Sequence, residues 1–297
     1  MIGYRNEHTI AASCEVAGRG YGSGQDVCVR FHPAAISTGV VFVRTDLEGR
    51  PECPATSDFG DSVQFRTNLV RGEAKFEMVE HVMAALAGLE IDNCVVETDA
   101  CEMPGLDGSC DAFVQSLQSA GLVIQATSKP RLFITEPIRV ESEGAYVEAL
   151  PSPDATLRYS YSLDYGTQSC IRPQSFELNC SPRSFVRQVA PARTFVTLAQ
   201  AEHLRASGVA RHVTNQELLV ISDRGVVDNE FRFRNECARH KTLDLIGDLS
   251  LAGLDLVGRF HSYRGGHRLN GMLASRLASL ADSRCTVKTS HPTRKAA

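Results

Sequence analysis

The sequence predicts an α+β fold in two similarly built halves, each burying a β-sheet against a pair of helices. Strand-like runs open each half, and a helix–glycine–strand–helix order closes it. One short motif also recurs: Leu86-Ala87-Gly88-Leu89-Glu90-Ile91 returns as Leu251-Ala252-Gly253-Leu254-Asp255-Leu256, 165 positions later. Six residues say little alone, but at the same place in the same element order they point to an internal repeat. The 297 residues are enough for one large or two medium domains.

In the first half, Thr9–Val16, Asp26–Phe31 and Gly39–Arg44 read as strands bounded by turn residues. Val79, Val82, Met83 and Leu86 recur at helical spacing, with Gly88 as the expected stop. An apolar run, Ile91–Glu97, is followed by a turn at Pro104–Ser109 and an amphipathic helix through Phe113, Leu117 and Leu122. The polar segment Gln125–Pro130 ends in proline and reads as a linker, so the expected domains are residues 1–126 and 130–297. The second half opens with strand-like runs at Arg131–Val140, Tyr146–Ala149, Leu157–Ser162 and Gln174–Leu178. It closes with a helix through Met272, Leu273, Leu277 and Leu280.

Composition narrows the functional classes. Lys plus Arg number 31 against 35 acids, a net charge of −4, which argues against nucleic acid as the main partner. The longest apolar stretch, Val82–Ile91, is half a membrane span and contains Glu90, so no transmembrane segment is expected. The opening MIGYRNEHTI has no basic region followed by an apolar block, and a cytoplasmic protein is expected. The ten cysteines include no CxxC pair and read as free, mostly buried thiols.

Three segments concentrate ionisable side chains beside helices: Val79-Glu80-His81-Val82, Arg239 to Asp248, and Tyr263 to Asn270. At 100° per residue, His240, Asp244 and Asp248 share an arc of about 80°, opposite Leu243, Leu245, Ile246 and Leu249. His240 and Asp244, four apart, could reach one metal ion, although spacing alone favours a solvated helix face. His81 beside Glu80 matches neither HExxH nor HxxEH and alone reads as an ordinary helix-start histidine. His267 follows two glycines into a helix, a setting that favours anions but equally suits a plain helix entry. Two histidines and an aspartate together form an open zinc shell, with Glu80 placed as a general base and His267 as an acid or oxyanion partner.

The runs VEHVMAALAGLEIDN, EMPGLDGS, ARTF, RHKTLDLIGDLSLAG and YRGGHRLN, in this order, resemble the UDP-3-O-acyl-N-acetylglucosamine deacetylases. These are the zinc amidases of lipid A biosynthesis, and the likeness extends from Thr9 to about Leu280. The resemblance implies two α+β domains packed helix layer to helix layer. It implies His81, His240 and Asp244 as ligands of Zn2+, with Fe2+ possible in the cell. It makes Glu80 the general base and His267 the general acid or electrostatic catalyst, oriented by Asp248. Thr194 would polarise the substrate carbonyl, and Phe195 and Lys241 would contact an acylated UDP-sugar. An insert of about 196–228 would bind the acyl chain, and a monomer is expected. The chain departs from the family pattern at Gly20–Gly24, which lacks the usual histidine, at Met78, at Gly271 and at 210–213. Two other readings stand beside this one: a zinc amidase for another acylated amino sugar, and a non-catalytic sugar-nucleotide or lipid-binding relative.

Overall fold

The structure, a computed structural model, describes residues 2–63 and 65–288. The first half runs through β1 (Ile2–Ile10), β2 (Cys14–Arg19), β3 (Asp26–Pro33), β4 (Val40–Arg44) and β5 (Glu52–Pro54). A small sheet follows, β6 (Gly60–Ser62), β7 (Thr67–Arg71) and β8 (Ala74–Glu77), before α1 (Glu80–Gly88), β9 (Cys94–Thr98) and α2 (Asp111–Ala120). The second half begins with β10 (Leu122–Phe133), β11 (Ile138–Ser142), β12 (Ala145–Leu150), β13 (Leu157–Leu163), β14 (Gln174–Asn179) and α3 (Pro182–Gln188). Next come β15 (Phe195–Thr197), α4 (Leu198–Ala206), β16 (Leu219–Ser222) and β17 (Gly225–Val226), which form a small βαββ unit. The chain closes with α5 (Glu236–Ser250), β18 (Asp255–Tyr263) and α6 (His267–Lys288).

The two halves repeat one pairing pattern. The first sheet runs β2-β3-β9-β4-β5, with β3 antiparallel and β4 parallel to the central β9. In the second, β11 pairs β12, β12 pairs β18 antiparallel, and β13, which pairs β14, lies parallel to β18. Each central strand therefore follows a helix and precedes another: α1 and α2 flank β9, and α5 and α6 flank β18. A parallel neighbour requires such a crossover, because a tight turn cannot reverse the chain twice. Each half also carries its small extra sheet ahead of the helix that enters the site.

The helix layers meet where α1 crosses α5. Gly247 permits that approach: a Cβ there would lie 2.2 Å from the Glu80 carbonyl oxygen. The sheet strands β13 and β14 cover α5 on another side and α6 on a third. From Thr242 to Leu249 every residue of α5 is buried. The solvated face expected for His240, Asp244 and Asp248 is thus corrected, because α5 is a central helix with no outer face along that stretch.

Other expectations shift. Thr9–Val16 is not one strand, since β1 ends at Ile10 and β2 begins at Cys14. Arg131–Val140 is likewise divided between β10 and β11. Gln125–Pro130 is no loop: it lies inside β10, where residues 128–130 pair antiparallel with β1 and residues 125–127 form an irregularity in the register. The α2 helix stops at Ala120, where Gly121 turns to φ 76°, so Leu122 opens a strand instead. Gly88 does end α1, but for packing: its Cβ would meet the Phe185 ring at 2.2 Å, while the left-handed position falls on Glu90 (φ 58°). Nine cysteines are free, as expected, and the side chain of Cys285 lies outside the described residues. No helix among the described residues is long and apolar enough to cross a membrane.

Candidate metal centre

The site lies where the start of α1, the middle of α5 and the start of α6 converge. Non-glycine residues in left-handed conformation aim two of these helices: Met78 (φ 60°) just before α1 and Arg264 (φ 55°) before Gly265-Gly266 and α6. Such positions cost on the order of 1–3 kcal/mol and persist where surrounding packing enforces them. Glu80, His81, His240, Asp244, Asp248 and His267 are all buried.

His81, His240 and Asp244 form one donor cluster, their ligand atoms within 4.8 Å of one another. Asp244 Oδ1 lies 3.3 Å from His240 Nε2 and 3.9 Å from His81 Nε2. His240 donates from Nδ1 to the Ala192 carbonyl at 3.1 Å, which leaves the Nε2 lone pair facing the cluster. Burial pushes both imidazoles toward the neutral form, His81 down to about 3 with the help of the His240 ring. Burial works the other way on Asp244, but the Lys241 ammonium and the His267 imidazolium hold its carboxyl well below the usual range. The fit to a divalent cation is direct: Asp244 Oδ1 is buried with no hydrogen-bond partner, amid two neutral imidazoles. Two nitrogens and one carboxylate oxygen are a donor set suited to zinc or another divalent transition metal.

Two acid–base groups flank the cluster. Glu80 Oε2 accepts the Thr67 backbone N–H at 3.0 Å, and burial, reinforced by Asp248 and Asp244, raises its carboxyl to about 7. His267 donates from Nδ1 to Asp248 Oδ2 at 3.0 Å. Burial alone would favour neutral His267, but Asp248 overrides it and raises the imidazole to about 9. Asp248 also accepts from the Thr67 hydroxyl at 2.6 Å and the Asn270 amide at 2.8 Å, so the carboxylate orienting His267 is itself held on three sides. At neutral pH the site thus offers a titrating carboxylate on one side and a cationic imidazole on the other.

The remaining expected residues sit at the rim. Thr194 Oγ1 is 3.2 Å from His240 Nε2 and donates to the Gly108 carbonyl at 2.9 Å. Phe195 packs edge-on against His240, with ring centres 6.1 Å apart, and against Tyr165 at 6.4 Å. Lys241 Nζ is bound to Asp244 Oδ2 at 2.7 Å. All nine site residues expected from sequence therefore meet in one place. The structure adds Thr67, Asn270 and Arg193. Arg193, buried, pairs with fully buried Glu236 at 2.8 Å and anchors the backbone that presents Thr194. Thr67 carried no sequence signal, being a lone polar residue in a short strand. Asn270 and Arg193 lay inside quoted motifs, and only their burial reveals their work.

Comparison with known proteins places the chain in a family. The family model described as UDP-3-O-acyl N-acetylglycosamine deacetylase matches residues 7–279. Three similar proteins carry the name UDP-3-O-acyl-N-acetylglucosamine deacetylase. That of Thermosynechococcus vestitus is 38% identical over 92% of this chain and 94% of its own. That of Trichormus variabilis is 39% identical over 93% and 99%, and that of Legionella pneumophila 37% over 91% and 88%.

Proposed function

The chain belongs to the UDP-3-O-acyl N-acetylglycosamine deacetylase family, and we propose that it removes the N-acetyl group from UDP-3-O-(3-hydroxyacyl)-N-acetylglucosamine, releasing acetate, an early committed step of lipid A biosynthesis. The observation that carries this reading is the buried, unpartnered Asp244 Oδ1 between two neutral imidazoles, flanked by Glu80 and His267.

His81, His240 and Asp244 would hold Zn2+, the metal favoured here over Fe2+. Such a cation, when bound, supplies Lewis acidity toward the amide carbonyl and acidifies water. Glu80 takes a proton from the water whose oxygen attacks the acetamide carbon. The His267 imidazolium faces the oxyanion that develops and then gives its proton to the nitrogen as the C–N bond breaks, leaving acetate and a free amine. Asp248 holds His267 cationic until that transfer and keeps it oriented throughout. Thr194 polarises the carbonyl once its hydroxyl proton turns away from Gly108. Phe195 and Lys241 contact the sugar nucleotide, and the insert of about 196–228 receives the acyl chain. A monomer acting in the cytoplasm completes the proposal.

The test joins metal analysis of the purified protein to a deacetylation assay with and without chelator. We expect about one zinc per chain and an activity that chelator abolishes and zinc restores. Full activity in metal-free protein would sink the reading.

A further inference from the structure

The insert is tied to the N-terminal half at a point far from it in sequence. His212 Nε2 lies 3.0 Å from the Gly20 carbonyl oxygen, so the imidazole donates to that backbone. The Tyr21 hydroxyl donates to the Glu217 carbonyl. Both contacts involve the Gly20–Gly24 loop, which is itself pinned from behind. Buried Glu102 accepts the backbone N–H groups of Gly22 and Ser23, each at 2.8 Å, and Arg66 lies 3.5 Å from the same carboxylate. The loop has no room for larger residues. A Cβ at Gly20 would meet Glu102 Oε2 at 2.4 Å, and one at Gly24 (φ 67°) would meet the His212 ring at 3.0 Å. Tyr21 lies against Gly105, whose Cβ would fall 2.1 Å from the ring.

The insert needs such anchoring. Its sheet has strands of three, four and two residues, with one nine-residue helix of which only Ala201 is buried. A unit of about thirty residues buries too little surface of its own and leans on the body of the protein for its place. Its near end is fixed at Thr194, whose backbone N–H and hydroxyl both donate to Gly108, and the Gly20–Gly24 loop fixes the far end.

We propose that the Gly20–Gly24 loop, braced by Glu102, is a latch whose catches, Tyr21 and His212, hold the insert against the N-terminal half and so set how tightly the acyl chain is gripped. This rests on the reading that the insert receives that chain. An apolar wall lends its contacts to a ligand only while it is held at van der Waals distance. Tyr21 and His212 are thus positioning residues for chain recognition and stand apart from the chemistry.

The test uses the full zinc-loaded chain and two substrates, identical except that one lacks the 3-O-acyl group. His212→Ala should raise KM for the acylated substrate about threefold to tenfold, the scale of one hydrogen bond. It should leave kcat, and the efficiency on the chain-free substrate, unchanged. His212→Gln, which keeps an N–H donor, should restore KM. Equal losses on both substrates, or none on either, overturn the latch. Hydrogen exchange of the unliganded protein supplies an independent reading: amides of residues 209–222 should exchange faster in His212→Ala while those of α1 and α5 do not change. Unchanged exchange also overturns it. If the wild type treats both substrates alike, the acyl-chain reading fails by itself, and exchange alone decides whether the latch exists.

Discussion

The paired helices α1 and α5 bring buried charge together at two places, finished in opposite ways. Just beyond the C-terminal ends of α1 and α5, Asp92 accepts from Arg5 at 2.7 and 2.8 Å, from the His8 backbone at 2.9 Å and from Lys129 at 2.8 Å. Asp255 beside it receives Arg5 at 3.0 Å and Arg131 at 2.6 Å. At the metal centre Asp244 has Lys241 on one oxygen and no hydrogen bond on the other. Six buried side-chain polar atoms among the described residues lack a partner, and three of them, in His81, Asp244 and Asn270, are at this centre. A folded chain satisfies buried polar groups wherever only stability is at stake. Unsatisfied groups clustered at one end of an otherwise well-paired interface are what the proposed metal site calls for.

The largest test of that contrast removes a donor from the unsatisfied end. On the proposed ligand set, His240→Ala leaves two protein ligands, so zinc content should fall from about one per chain toward zero, and activity should fall by roughly 10⁴-fold or more. Glu80→Gln and His267→Ala touch groups outside the donor set. Each should keep its metal and lose roughly 10²–10⁴ in turnover, the usual worth of a positioned acid or base. Asp248→Asn should resemble a milder His267→Ala, since it weakens the orienting bond. Zinc stoichiometry measured beside turnover number checks all four. Metal loss in His267→Ala with full occupancy in His240→Ala would exchange their roles.

A smaller test addresses the contact that brings the two helices together. Gly247→Ala places a methyl 2.2 Å from the Glu80 backbone carbonyl, which no rotamer change can relieve. We expect a loss of about 3 kcal/mol, the upper range for overpacking, read by urea denaturation. Because the displaced backbone carries Glu80 and His81, activity should fall further than the unfolded fraction explains. Unchanged stability would mean that the crossing is looser than this geometry implies.

Much of this arrangement was legible beforehand, and for a physical reason. The repeated Leu-Ala-Gly-Leu-acid-apolar motif marks the exit of α1 into β9 and of α5 into β18, so a local echo reported a global repeat. Spacing put His240, Asp244 and Asp248 on one arc of a helix, but it was the family resemblance that joined His81, Glu80, His267, Thr194, Phe195 and Lys241 to them. What sequence could not supply was depth. Spacing alone makes His240, Asp244 and Asp248 a face, but whether that face meets water depends on α1, α6 and a sheet assembled from distant residues. The strand conformation of Gln125–Pro130 escaped notice for the same reason, because a polar, proline-ended stretch does not read as a strand until β1 arrives beside it. Thr67 escaped notice because its importance lies wholly in its partners, Glu80 and Asp248.

The smallest effect is expected at the satisfied end. Burial pushes the Asp92 carboxyl up, but the Arg5 guanidinium and the Lys129 ammonium outweigh it and hold the group below its ordinary value. A carboxylate whose folded pKa is depressed adds stability above its unfolded pKa and loses it as pH falls through the folded one. Asp92→Asn should therefore cost about 1–2 kcal/mol at pH 7, less than a fully enclosed pair would, because Arg5 and Lys129 retain 14% and 19% side-chain exposure. The gap between wild type and variant should stay constant down to about pH 5 and begin to close near pH 4, where the unfolded carboxylate takes up its proton. Below that pH it should go on shrinking until folded Asp92 is itself protonated, when the acid and asparagine face the same two cations with similar polarity. Denaturation curves at matched ionic strength across that range check the sign. A gap as large at pH 3 as at pH 7 would mean that Asp92 holds the fold by shape and hydrogen bonding alone, and its charge would then have no part in the contrast with Asp244.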